Sequence, residues 1–73
     1  MTLGERILSL RKQRRLFQED VGVILGVSRQ AVSKWETDQS LPDTGNLLAL
    51  AKLLGVTVEE LTGGSGHPRS PAR

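Results

Sequence analysis

An all-helical domain is the fold class this sequence predicts, with five short helices over about residues 2–62. Three observations predict it. Apolar residues recur three and four positions apart, helix-capping patterns recur along the chain, and no stretch alternates with the period of a half-buried strand.

The first helix opens on Thr2-Leu3-Gly4-Glu5, a capping box in which Thr2 accepts from the Glu5 amide while Glu5 reaches back. Leu3, Ile7 and Leu10 then form a core stripe through about Arg14, and Arg15-Leu16-Phe17 makes the connection, with Leu16 as a plug. Helix two spans about Gln18 to Leu25, with Val21, Gly22 and Leu25 facing inward. Gly26 suits the left-handed position that ends many helices, where a side chain is penalised. Ser28 caps helix three, which extends to about Trp35 or Glu36 with Ala31, Val32 and Trp35 on one face above Val27. After a polar loop from Thr37 to Pro42, Asp43 caps a fourth helix over Asn46 to Leu54, closed by Gly55. Thr57-Val58-Glu59-Glu60 opens a fifth helix that ends near Thr62. Residues 1–62 are thus expected to form the domain. The remainder, 63–73, reads as a disordered tail or a linker to a possible further domain.

Composition narrows the function. The 73 residues make one domain that buries only about 60% of its unfolded surface, too little for a cleft between lobes. Cysteine is absent, and the single histidine, His67, lies in the Gly/Ser/Pro-rich tail, so no metal, cofactor or catalytic centre is expected. No apolar run approaches the roughly 18 residues of a membrane span, and the chain as given is expected to be cytoplasmic. Net charge is only +2, but its distribution is polar. Arg6, Arg11, Lys12, Arg14, Arg15, Arg29 and Lys34 outnumber Glu5, Glu19 and Asp20 in residues 1–34. Over residues 35–64, Lys52 stands against Glu36, Asp38, Asp43, Glu59 and Glu60. The carboxylate pairs Glu19/Asp20 and Glu59/Glu60 sit in first helical turns, where they favour the helix dipole, so they do not suggest acid–base chemistry.

The stretch QEDVGVILGVSRQAVSKWE, Gln18 to Glu36, joins two helices through only a Gly-Val-Ser turn. So short a turn forces a steep crossing, so the first helix braces the second and presents it outward: a helix-turn-helix. The outward positions include Arg29, Gln30, Ser33 and Lys34. Arginine can take guanine N7 and O6 with two hydrogen bonds, and glutamine adenine N7 and N6; each such pair gives about 1–3 kcal/mol of discrimination.

Taken with GERILSLRKQRR before it and LPDTGNLLALAKLLGVTVEEL after it, this stretch resembles the Cro/repressor type of helix-turn-helix, also called the xenobiotic-response-element type, over residues 2–62. The resemblance implies a compact, lambda-repressor-like fold. It also implies a sequence-specific transcriptional regulator, most often a repressor, that binds a pseudo-palindromic double-stranded DNA operator as a homodimer. Gln18 matches a glutamine that contacts a phosphate and braces the reading helix. Ser28, Arg29, Gln30 and Lys34 match positions that meet bases or phosphates; Ser33 and Thr37 are expected in the same contact set. Arg11 and Glu36 match an internal ion pair, Arg11 also facing DNA in some relatives, and Trp35 matches a structural position. Three departures are expected to weaken the phosphate grip. Phe17 replaces a capping Ser or Thr, Asp38 replaces Gly or Asn, and residues 37–46 contain no Lys or Arg.

A protein-interaction module, such as an adaptor or antitoxin-like partner, is the alternative reading. Exposed Phe17 and Val23 would serve it as a contact patch. The resemblance implies instead a dimer contact from Leu61 and the end of helix five, as C-terminal segments of the family often supply.

Overall fold

A computed structural model describes residues 1–63. Its elements are α1 (Leu3–Gln13), α2 (Gln18–Leu25), α3 (Arg29–Glu36), α4 (Thr44–Leu54) and α5 (Val58–Thr62), with no strand among the described residues. The expected tail, with His67, lies outside the described residues beyond Gly63.

Local sequence dictates where each helix begins. Thr2 Oγ1 accepts from the Glu5 amide at 3.1 Å while Glu5 Oε1 accepts from the Thr2 amide at 2.9 Å. Thr57 and Glu60 repeat the box. Asp43 caps α4 through the Asn46 amide at 2.8 Å, so α4 begins at Thr44, one half-turn earlier than its apolar pattern suggests. Phe17 offers α2 no acceptor, but half the box survives because Asp20 Oδ2 accepts from the Phe17 amide at 2.8 Å.

The helices end less predictably. Gly26 and Gly55 take the left-handed conformation at φ +76° and +75°, but Arg15 and Asp38 do so as well, at φ +58° and +62°. At each of these non-glycine sites a Schellman pair of bonds closes the helix. Leu16 and Arg15 amides donate to the Arg11 and Lys12 carbonyls, and Gln39 and Asp38 amides donate to the Lys34 and Trp35 carbonyls.

The core is Ile7, Val21, Val32, Trp35, Leu50, Ala51, Leu54 and Leu61, one contiguous cluster drawn from all five helices. Leu3, Leu10, Leu16, Leu25, Val27 and Ala31 pack around it partly buried, as their spacing predicted. Leu61 is fully buried, which corrects the expectation that it supplies a dimer contact: it seals the domain and offers nothing to a partner. Phe17 and Val23 are 74% and 77% exposed.

Helix α3 packs chiefly on α1 and α2, and both contacts rest on missing side chains. A Cβ on Gly4 would lie 2.6 Å from the Glu36 carbonyl oxygen and 2.8 Å from Asp38 Oδ1. A Cβ on Gly22 would lie 2.8 Å from the Val27 carbonyl oxygen, beside the turn that the Val27 amide closes onto the Gly22 carbonyl. Glycine at both places lets backbone meet backbone.

Candidate nucleic-acid interface

The outer face of α3 follows from helical geometry. Arg29, Gln30, Ser33, Lys34 and Thr37 fall one and four positions apart and so share one side. Arg29, Gln30 and Lys34 are exposed, and Ser33 is half-buried. The opposite face carries Val32, Trp35 and Glu36 into the interior. Ser28 Oγ accepts from the Ala31 amide at 3.1 Å, which fixes the start of the helix and leaves its hydroxyl hydrogen to donate outward.

Beneath this face sits a buried polar knot. Arg11 donates from Nε to Glu36 Oε2 at 2.5 Å, from Nη2 to Glu36 Oε1 at 3.1 Å and from Nη1 to the Leu16 carbonyl at 2.8 Å. A carboxylate only accepts, so it is the amide nitrogen of Gln18 that faces Glu36, donating to Oε1 at 2.9 Å. Arg11 and Glu36 are 8% and 6% exposed. The knot therefore ties α1, the start of α2 and the end of α3 together, and a bidentate guanidinium–carboxylate pair fixes orientation as well as distance.

This geometry bears on three of the expected positions. Arg11 spends three of its five N–H donors on Glu36 and Leu16, so it braces the site from below while still lining the cleft beside Arg29. Thr37 shares its one hydroxyl hydrogen between the Ser33 and Lys34 carbonyls and accepts from Gln39 Nε2, which leaves it one lone pair at the helix end. Asp38 does not present its charge to the outer face. Oδ2 accepts from Thr2 Oγ1 at 2.6 Å and Oδ1 from the Gly4 amide at 3.0 Å, so the carboxylate caps α1 from across the fold.

The basic run at the end of α1 is also partly structural. Arg14 Nε donates to the Leu54 carbonyl at 3.2 Å, which satisfies the end of α4. Lys12 and Arg15 remain exposed. Sequence reasoning passed over Gln39, an exposed amide just past α3 whose donation to Thr37 leaves its carbonyl oxygen without a partner among the described residues. The signal is a second amide side chain five residues beyond Lys34, in the loop after α3.

Two shallow depressions, each of about 360 Å³, flank α2. Arg11, Phe17, Gln18, Glu19 and Arg29 line one, at the junction of α1, α2 and α3. Ile24, Leu25, Ala49, Lys52 and Leu53 line the other, between α2 and α4. Val23 lines neither, so it does not join Phe17 in one groove.

The helix-turn-helix family model matches residues 7–61, which takes in α2, α3 and the knot beneath them and reaches into α5. The chain belongs to the helix-turn-helix family. This helix-turn-helix domain is 40% identical over 62 residues to the repressor protein C2 of Salmonella phage P22, covering 85% of this chain. It is 38% identical over 64 residues to the HTH-type transcriptional activator BcrR of Enterococcus faecalis, covering 88% of this chain. The chain spans 29% and 31% of those two relatives' own lengths. Its fold superposes on the crystal structure of the P22 c2 repressor in complex with a synthetic operator with a TM-score of 0.84 and 38% identity, covering 89% of this chain and 98% of that one. The helix-turn-helix family is one of transcription regulators and not an enzyme family. Among the described residues no helix is long and apolar enough to cross a membrane, and no group of three or more acidic or histidine side chains could hold a metal.

Proposed function

We propose that residues 1–62 are the DNA-reading unit of a non-catalytic transcriptional regulator acting in the cytoplasm, a repressor by preference. The unit docks α3 in the major groove of a pseudo-palindromic operator. One observation carries the reading: an exposed Arg29-Gln30 pair at the N-terminal end of a helix locked to the domain by a buried knot. That end of the reading helix is the one that enters the groove in this motif, and the two side chains have the donors and acceptors that distinguish guanine and adenine. Ser28 donates to a phosphate, Lys34 and Ser33 reach a base edge or the backbone one turn further on, and Gln18 holds the frame. The superposition on an operator-bound repressor supports the same docking.

One domain spans few base pairs, so selectivity calls for a two-fold dimer with half-sites about 34 Å apart on one side of the duplex. Selection of bound duplexes from a random library, followed by anisotropy on the selected site, tests the reading. Arg29→Ala and Gln30→Ala should each relax preference at particular base pairs. Wild-type selectivity in both variants would remove α3 as the reader.

A protein-interaction module is the second reading, and the apolar depression between α2 and α4, where Ile24 is 57% exposed, favours it. Failure to bind any duplex at low salt would make it the better one.

A further inference from the structure

The cleft beside the reading helix has an apolar wall that base reading does not use. Phe17 is 74% exposed although it opens α2, and its backbone N–H is already taken by the Asp20 carboxylate at 2.8 Å. The ring supplies neither a capping acceptor nor a hydroxyl for a phosphate. Around it the same cleft is lined by Arg29, which reads, and by Gln18 and Arg11, which are drawn down onto Glu36.

A helix N-terminus ordinarily attracts phosphate. Here the first-turn amide of Phe17 is already occupied by Asp20, and Glu19 lines the cleft beside the ring, together with Arg29, so Phe17 itself offers a phosphate no donor. The part of a DNA strand that suits an exposed phenyl ring beside Arg29 is the uncharged one, the deoxyribose between the phosphates.

We propose that Phe17 packs on a deoxyribose of the DNA backbone, next to the groove that Arg29 enters. The inference rests on the DNA-reading assignment and adds to it a contact of a different chemical kind. Phosphate contacts release counterions and set the slope of log affinity against log salt, whereas a sugar contact releases none. Contacts to the sugar carry no direct base information. Phe17 therefore adds affinity equally to operator and random duplex, and it adds nothing to the salt slope.

Anisotropy titrations over a salt series, on the selected operator and on a random duplex, test this with Phe17→Ala and Phe17→Leu. Phe17→Ala should bind both duplexes about five- to tenfold more weakly, the loss expected when roughly half a phenyl ring leaves apolar contact. Its salt slope should equal that of the wild type, and Phe17→Leu should keep most of the affinity. Circular dichroism melting checks that the exposed substitution leaves the fold intact. Unchanged affinity in Phe17→Ala overturns the proposal and leaves the ring to a protein partner; a changed slope overturns it in favour of an ionic role for the site. If the wild type binds neither duplex, the DNA reading fails and this contact with it. If Arg29→Ala relaxes base preference while Phe17→Ala binds normally, only the sugar contact fails.

Discussion

The Gln18 amide and the Glu36 carboxylate meet at 2.9 Å across the helix-turn-helix, on the same carboxylate that Arg11 grips from α1. Glu36 thus accepts from two elements while belonging to a third. Removing its charge strands a buried guanidinium, which typically costs about 3–5 kcal/mol. Total stability in domains of this kind is about 5–15 kcal/mol. Glu36→Gln should therefore lower the melting temperature by about 12 °C or more, at about 4–8 °C per kcal/mol. The paired replacement Arg11→Met with Glu36→Leu should lose less than Glu36→Gln alone, because no uncompensated charge remains. Thermal unfolding by circular dichroism checks both, and a double variant as unstable as the single one would show that the charge is not the source of the cost.

Asp38 combines a left-handed backbone with two bonds to the start of α1. Asp38→Ala should cost about 2 kcal/mol, from the left-handed penalty and the lost carboxylate bonds together. Asp38→Gly should be less costly, since it relieves the backbone and loses only the carboxylate. Urea unfolding midpoints rank the two.

Arg15 has the same backbone conformation at φ +58° and an exposed side chain. Arg15→Gly is expected to stabilise the domain by up to about 1 kcal/mol, read as a higher urea midpoint with an unchanged slope.

The glycine contacts give a test with its own control. Gly4→Ala and Gly22→Ala push a methyl into carbonyl oxygens at 2.6 Å and 2.8 Å and should each destabilise, by about 1–3 kcal/mol from overpacking less the helix-propensity gain of about 1 kcal/mol. Gly45→Ala in α4 meets only Asp43 Oδ1 at 3.7 Å, an ordinary contact, and should stabilise by about 0.5 kcal/mol. Opposite signs in one denaturation series would separate close approach from propensity.

Lys34→Ala should weaken binding about equally on all duplexes and lower the salt slope by about 1 if Lys34 meets a phosphate. A change confined to one base pair would assign it to a base edge.

The caps at Thr2, Ser28, Asp43 and Thr57 and the core stripe of Ile7, Val21, Val32 and Leu50 were legible because their partners lie within one or two helical turns or repeat at the helical period. Asp38 was misread as charge beside the outer face because its partners are 34 and 36 residues away, and no local pattern announces them. Arg14 was hidden for the same reason, since its acceptor Leu54 is 40 residues distant. The pairing of Arg11 with Glu36 came from the family resemblance, not from the run RKQRR itself, which reads equally well as a solvated helix end. The bonds of the Thr37 hydroxyl to the carbonyls of its own helix leave no trace in composition. Leu61 was misplaced because the five residues of α5 are too few for periodicity to assign a face.

The two glycines that seat α3 do so through main-chain atoms, which every substitution on its outer face leaves in place. Arg29, Gln30, Ser33 and Lys34 can therefore be exchanged as a set without re-seating the rod that carries them. The domain keeps its grip on the helix separate from the side chains the helix presents, and a new outer face would not require a new scaffold.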